Sequence, residues 1–109
     1  MNISIDDFKK LEIKIGEIMS AEKVPETDKL LKLAVNFGEE NIRQIVSGIS
    51  MYFEDPQTLV GKKCAFATNL EPRNIKGLES QGMILAVSGE SFFSLLSTNS
   101  EVPPGATVK

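Results

Sequence analysis

The segment "NLEPRNIKGLESQGM", residues 69–83, carries two cations inside a polar stretch between two apolar runs. Arg73 can present a planar fork of hydrogen-bond donors to a phosphate, and Lys76, three positions later, can supply a point charge. Both can bind a nucleic-acid backbone without reading its sequence. The same residue types also suit an ordinary solvated loop, so the residues alone leave binding and solubility as open alternatives.

The neighbours of these two cations present a similar choice. Asn69 can hydrogen-bond a base edge or a ribose, or it can fix the backbone of its own loop. Ser80 and Gln81 can contact RNA or satisfy a tight turn, because Gly82 lets the backbone pass where a side chain would clash. Met83 opens an apolar run, and it suits either a binding surface or the core.

Three further cations lie in the segments "DKLLKLAVN" and "IRQIVSGI". They are Lys29, Lys32 and Arg43. Alternation with apolar residues predicts that Lys32 and Arg43 point away from the core. These side chains can extend a binding surface or serve only solubility.

The residue types argue against catalysis. The chain has no histidine and one cysteine, so the common zinc sites cannot form and Cys64 has no histidine to activate it. We therefore predict a small buried side chain at Cys64, no metal, no cofactor, and no enzyme activity in this chain by itself. The 12 basic and 15 acidic residues give a formal net charge of -3, which disfavours strong nonspecific binding of nucleic acid.

The elements that must position these residues follow from the apolar periodicity. Ser4 can cap a short N-terminal helix, and a long strand over residues 12–24 is expected to bend or bulge at Gly16. A short helix is predicted in "SMYFEDPQTLVG", where Met51, Tyr52 and Phe53 could plug one end of a barrel. Further strands are predicted in "LLKLAVN", "IRQIVSGI", "KKCAFATNL", "GMILAVS" and "SFFSLLST".

This order predicts an all-β fold in a single domain, residues 1–109. Five strands, with a short helix between the third and the fourth and a short N-terminal helix, match the five-stranded Greek-key barrel of the OB-fold. An SH3-like or other small barrel fits the periodicity nearly as well. In an OB-fold the loop at residues 70–81 would join the last two strands and border the nucleic-acid face.

The sequence gives no sign of a membrane segment. No run reaches the ~20 apolar residues that a spanning helix needs, and the first ten residues contain no apolar signal region. We therefore expect a cytoplasmic protein with no membrane partner.

The segments "VPETDKLLKLAVNFGE", "RQIVSGI", "NLEPRNIKGLESQGMILA" and "VPPGATVK" resemble the tRNA-binding domain at the C-terminus of many methionyl-tRNA synthetases, which also occurs as stand-alone dimeric tRNA-binding proteins. The resemblance extends over nearly the whole chain. Its most specific part is "NLEPR", a basic loop and "SQGM" in that order. It implies an OB-fold, a homodimer, and binding to tRNA chiefly through its shape and backbone. A methionyl-tRNA synthetase catalytic domain is the further partner that it implies, in cis or in trans.

With this resemblance, nine residues are expected to serve tRNA binding: Lys29, Lys32, Arg43, Asn69, Arg73, Lys76, Ser80, Gln81 and Met83. Two other functions stay open. One is an export-related chaperone of the same fold, although such relatives do not keep "SQGM" after the basic loop. The other is a pure dimerisation domain, in which apolar residues near the two termini, Ile5, Phe8, Leu11 and residues 102–108, would pair with a second copy.

Overall fold

The computed structural model describes all 109 residues and contains nine strands and little helix. The strands are β1 (Ile13–Lys23), β2 (Leu31–Asn36), β3 (Arg43–Ser47), β4 (Lys63–Ala67), β5 (Arg73–Ile75), β6 (Leu78–Ser80), β7 (Met83–Ile84), β8 (Ala86–Ser88) and β9 (Phe93–Leu95). Five of them form one antiparallel sheet in the order β3-β2-β1-β4-β7, and the others form the hairpins β5–β6 and β8–β9. The prediction of an all-β fold is confirmed, and the five-stranded sheet is consistent with an OB-type barrel.

The core lies on the concave side of the five-stranded sheet. In β2 the side chains of Leu31, Leu33 and Val35 are buried and alternate with half-buried residues, as the period of two requires. Phe66 and Cys64 of β4 are fully buried in the same apolar cluster. Cys64 is 0% exposed, which confirms the predicted small buried side chain, and this burial raises the pKa of its thiol.

Gly16 of β1 lies beneath the side chains of Val35, in β2, and Phe37, just after it. A Cβ atom at this position would lie 2.5 Å from Val35 Cγ1 and 2.6 Å from Phe37 Cε1, so a glycine is needed for the close approach. The register of β1 against β2 shifts between Ile18 and Ser20. The predicted bulge is therefore real, but it lies just after Gly16 rather than at it.

The short N-terminal helix is present as predicted, whereas the predicted helix between the third and fourth strands is replaced by 3-10 turns. The N-terminal helix α1 (Ile5–Phe8) is a single turn, and the Ser4 Oγ accepts from the Asp7 N–H at 3.0 Å as the predicted cap. Between β3 and β4 the chain forms two 3-10 turns, Ser50–Tyr52 and Pro56–Leu59, in place of one α-helix. Leu59 fills the core there, whereas Met51 and Tyr52 are exposed, so the predicted plug is wrong for those two residues.

Two further differences concern the end of the chain. Residues 70–81 are not an open loop, because they contain the hairpin β5–β6. The predicted fifth strand is divided: β7 pairs with β4, and β8 turns away to pair with β9. None of the helices is long and apolar enough to cross a lipid bilayer.

Candidate nucleic-acid interface

The hairpin β5–β6 presents two cations on a stiff two-residue turn. Lys76 and Gly77 have φ values of 53° and 85°, and positive φ at both central residues is what a type I′ turn requires. The Asn74 Oδ1 accepts from the Gly77 N–H at 2.9 Å and fixes the turn further. Lys76 at the tip and Arg73 at the base are both exposed, and neither forms an ion pair with a carboxylate. Both side chains are therefore free to meet an anion.

Ser80 and Gln81 close the barrel with their side chains. Ser80 is 1% exposed, and its Oγ accepts from the Val46 N–H at 2.9 Å and lies 3.0 Å from the Gly82 carbonyl. The Gln81 Oε1 accepts from the Gln44 N–H at 2.9 Å, and the Gln81 N–H donates to the Gln44 carbonyl at 2.8 Å. These bonds satisfy the free edge of β3, which would otherwise present unpaired backbone groups. The structure thus supports the turn-stabilising alternative for Ser80, whose hydroxyl does not reach the surface.

Gly82 and Met83 complete the "SQGM" motif with different roles. Gly82 has a φ of 149°, and a Cβ atom there would lie 2.9 Å from Ile45 Cδ1 and 3.0 Å from the Ala67 carbonyl oxygen. A glycine is therefore required for the chain to pass between β3 and β4. Met83 follows in β7, opposite Ala67, and its side chain is 40% exposed. Of the four motif residues, Met83 is the one with a side chain open to a partner.

Asn69 is occupied by the N-terminal segment. Its Oδ1 accepts from the Glu12 N–H at 2.7 Å, and its Nδ2 donates to the Lys10 carbonyl at 2.7 Å. The amide therefore fixes a distant segment, which differs from both alternatives that the sequence offered. Thr68 beside it donates to Glu12, and this hydrogen bond together with Lys14 lowers the pKa of the Glu12 carboxyl. Sequence reasoning missed Thr68, because nothing in its neighbours marks the pairing with Glu12.

Arg43 leaves the core as predicted, but its guanidinium is not free. Its Nε and Nη2 each donate to the Glu39 carboxylate at 2.8 Å, while Nη1 donates to the Thr68 carbonyl at 2.7 Å and to the Gln81 carbonyl at 3.2 Å. The guanidinium also lies 5.3 Å from the centre of the Phe37 ring. Hydrogen bonding to Arg43 lowers the pKa of Glu39. The side chain therefore points away from the core as predicted, but its hydrogen bonds to Glu39, Thr68 and Gln81 use most of the donors that a phosphate would need.

Lys29 and Lys32 lie on either side of the start of β2. Lys29 is exposed and forms no ion pair. The Lys32 Nζ is 2.9 Å from Glu22 Oε1, so this cation is partly neutralised. Lys23, which sequence reasoning did not select, is exposed and lines a cavity of about 270 Å³ together with Lys32 and Leu78 of the hairpin. Its position at the end of the long strand, just before the turn at Pro25, is the signal that could have identified it.

The nine expected residues therefore divide into two groups. Lys29, Lys32, Arg73, Lys76 and Met83 reach the surface, at the start of β2, on the hairpin and on β7, whereas Arg43, Asn69, Ser80 and Gln81 form hydrogen bonds that hold the backbone together. Residues 13–107 match the family model described as "Putative tRNA binding domain". The chain belongs to this family. Because the family model describes a tRNA-binding domain, we assign the chain as a binding domain that is not itself catalytic.

This tRNA-binding domain is similar to one part of much longer ligases and to the whole of some short solved chains. It is 50% identical over 107 residues, 98% of its length, to a methionine–tRNA ligase of Methanospirillum hungatei. It spans about 16% of the length of the ligases that it matches. A solved methionyl-tRNA synthetase related protein of Pyrococcus horikoshii is 40% identical, with a TM-score of 0.92 over 100% of this chain and 99% of that one. The chaperone CsaA of Bacillus anthracis is 26% identical, with a TM-score of 0.87 over the whole of both chains.

Proposed function

We propose that this domain binds tRNA through the RNA backbone and overall shape, and that it assists a methionyl-tRNA synthetase catalytic domain in cis or in trans. The observation that carries the proposal is the hairpin β5–β6, whose type I′ turn presents Arg73 and Lys76 without carboxylate partners. Lys29 and Lys23 add two unpaired cations beside the β1–β2 turn. A cytoplasmic location is part of the same proposal, because tRNA charging takes place there.

The side chains near the hairpin favour contact with phosphate over stacking on bases. Neither the hairpin nor the β1–β2 turn contains an aromatic residue. Tyr52 stacks on Phe93 at 3.9 Å on a different part of the molecule, and Phe37 and Phe66 are buried. Proteins that bind single strands use exposed aromatic rings as stacking platforms, whereas folded RNA is bound largely by shape and backbone. We infer that a folded RNA is the partner.

The proposal is tested by removing the two hairpin cations, singly and together. Arg73→Ala removes a guanidinium, and Lys76→Asn removes a charge while keeping a residue that tolerates positive φ. We expect the double variant to bind tRNA about tenfold or more weakly, because two charge-assisted contacts of roughly 1 kcal/mol or more each are lost. Fluorescence anisotropy with a labelled tRNA measures the affinity. Lys62→Ala, which removes an exposed unpaired cation elsewhere, is the control for each single change and should bind as the parent does.

The chaperone alternative has weaker support than tRNA binding. It rests on a structural likeness at 26% identity, while several methionine–tRNA ligases are 44–50% identical. If this domain suppressed aggregation of an unfolded client but bound no tRNA in the anisotropy experiment, the chaperone function would become the better supported of the two.

We also propose that two copies associate through the N-terminal helix. Ile5, Phe8 and Leu11 are exposed, and with Val108 they line an apolar groove of about 410 Å³. A helix of one turn is not stable by itself in water, so a partner surface over its apolar side would stabilise it. A second copy is the partner that the resemblance to stand-alone dimeric tRNA-binding proteins implies. Light scattering should give twice 11.9 kDa, and Phe8→Asp should give the single-chain mass.

A further inference from the structure

Arg43 lies where three parts of the molecule meet, and its guanidinium donates to Glu39, Thr68 and Gln81. We propose that Arg43 is a positioning residue for tRNA binding: it clamps the closure segment, residues 79–82, against β3 and so fixes the direction in which the hairpin β5–β6 points. This inference rests on the proposed function, since the hairpin carries the cations assigned to tRNA.

The hairpin needs such a clamp because it forms no strand pairing with the five-stranded sheet. β5 and β6 pair with each other and with no other strand. Two strands of three residues each are marginal in isolation, so the orientation of the hairpin must come from its attachment. The attachment on the β6 side consists mainly of side-chain hydrogen bonds. The Gln44 Nε2 donates to the Glu79 carbonyl at 2.9 Å, and the Ser80 and Gln81 side chains accept from the edge of β3, beside one backbone bond from the Gln81 N–H to the Gln44 carbonyl.

Arg43 ties this attachment to the rest of the barrel. A single nitrogen, Nη1, donates to the carbonyls of both Thr68 and Gln81, which belong to the two ends of the segment that contains the hairpin. The other side of the guanidinium is held by both oxygens of Glu39. The hairpin thus leaves and re-enters the barrel at points that one rigid, planar group keeps together.

A lysine cannot reproduce this geometry. Its ammonium is a compact charge, and it cannot bind both oxygens of Glu39 while also reaching two carbonyls on the opposite side. Arg43→Lys therefore keeps the net charge but releases the clamp. The hairpin then has to be ordered when tRNA binds, and this ordering weakens the affinity.

A double-mutant cycle tests whether Arg43 acts through the hairpin. In the parent protein, we expect Arg43→Lys to weaken tRNA binding about fivefold to tenfold at a temperature well below the melting transition. In the variant that already carries Arg73→Ala and Lys76→Asn, the same change should cause no further loss, because residues that act as one unit are not additive. Equal losses in both backgrounds would show a separate contact of Arg43 with RNA and would overturn the proposal, as would unchanged binding in the parent.

A milder pair of variants covers the case in which Arg43→Lys does not fold. Glu39→Gln weakens the hold on the guanidinium, and Glu40→Gln makes the same charge change at the next residue, which is exposed and forms no ion pair. We expect Glu39→Gln to bind tRNA several-fold more weakly than Glu40→Gln and to exchange its Gln44 amide hydrogen faster. Equal affinities for the two variants would overturn the proposal. Failure of the proposed function is distinguishable, since it appears as unchanged binding when Arg73 and Lys76 are replaced.

Discussion

At the scale of single residues, the "SQGM" motif shows why residue types alone leave a role open. Ser80 and Gln81 stand in a polar stretch and resemble surface residues, yet both face the free edge of β3. Their placement depends on which strand edge lies beside them, and this is a long-range feature that periodicity does not encode. The sequence correctly identified Gly82 as a site of close approach, because a missing side chain is a local property.

Ser80→Ala should lower stability, and this separates its structural role from an RNA contact. The change leaves the buried Val46 N–H without an acceptor, which costs about 1–3 kcal/mol. For a domain of this size, each kcal/mol corresponds to roughly 4–8 °C in the melting temperature. Differential scanning calorimetry measures the shift, with the exposed Ser88→Ala as the control. An unchanged melting temperature combined with weaker tRNA binding would instead assign Ser80 to the RNA.

The ion pair between Glu39 and Arg43 predicts that part of the folding stability is lost at acidic pH. Arg43 lowers its folded-state pKa below the ordinary value of 4.5, so the folded protein binds this proton less readily than the unfolded chain. The contribution is present above pH 4.5 and is lost as the pH falls from there through the folded-state pKa. The difference in melting temperature between the parent and Glu39→Gln should therefore shrink below pH 4.5. A difference that stayed constant down to pH 2 would contradict this ion-pair contribution.

At the scale of elements, strands with regular alternation could be predicted from the sequence, and short irregular elements could not. β2 alternates buried and half-buried residues, and β4 is an apolar run that is buried from Cys64 to Ala67, so burial enforces the pattern in both. The hairpin β5–β6 was missed because its strands have three residues each and its turn carries Lys-Gly in place of a familiar turn pair. The division of the last predicted strand into β7 and β8 depends on β9, a partner that local sequence does not reveal.

The close packing of Val35 and Phe37 against Gly16 of β1 gives a prediction at this scale. Gly16→Ala would place a methyl group 2.5 Å from Val35 Cγ1, and overpacking of a core commonly costs about 1–3 kcal/mol or more. Gly48→Ala is the matched control, because nothing lies within 4 Å of the added methyl group and its φ is not positive. Urea denaturation should show a clear loss for the first variant and almost none for the second. Similar urea midpoints for the two variants would contradict the close packing at Gly16.

At the scale of the whole molecule, the net charge of -3 and the binding of a polyanion are compatible because the contact is local. No carboxylate forms an ion pair with Arg73 or Lys76, so both side chains keep their charge available for a phosphate. Association of two copies would present two hairpins to one folded RNA, and each additional phosphate contact would add to the affinity. The contacts between these cations and phosphates should then make binding sensitive to ionic strength.

The salt dependence of tRNA affinity tests the central claim most directly. The logarithm of the association constant should fall linearly with the logarithm of the salt concentration, by roughly 0.7 to 0.9 for each phosphate contact. The variant with Arg73→Ala and Lys76→Asn should bind about tenfold or more weakly and should show a slope smaller by about the two lost contacts, while Lys62→Ala keeps the parent slope. An affinity and a slope in the double variant equal to those of the parent would contradict binding of the tRNA backbone by this hairpin.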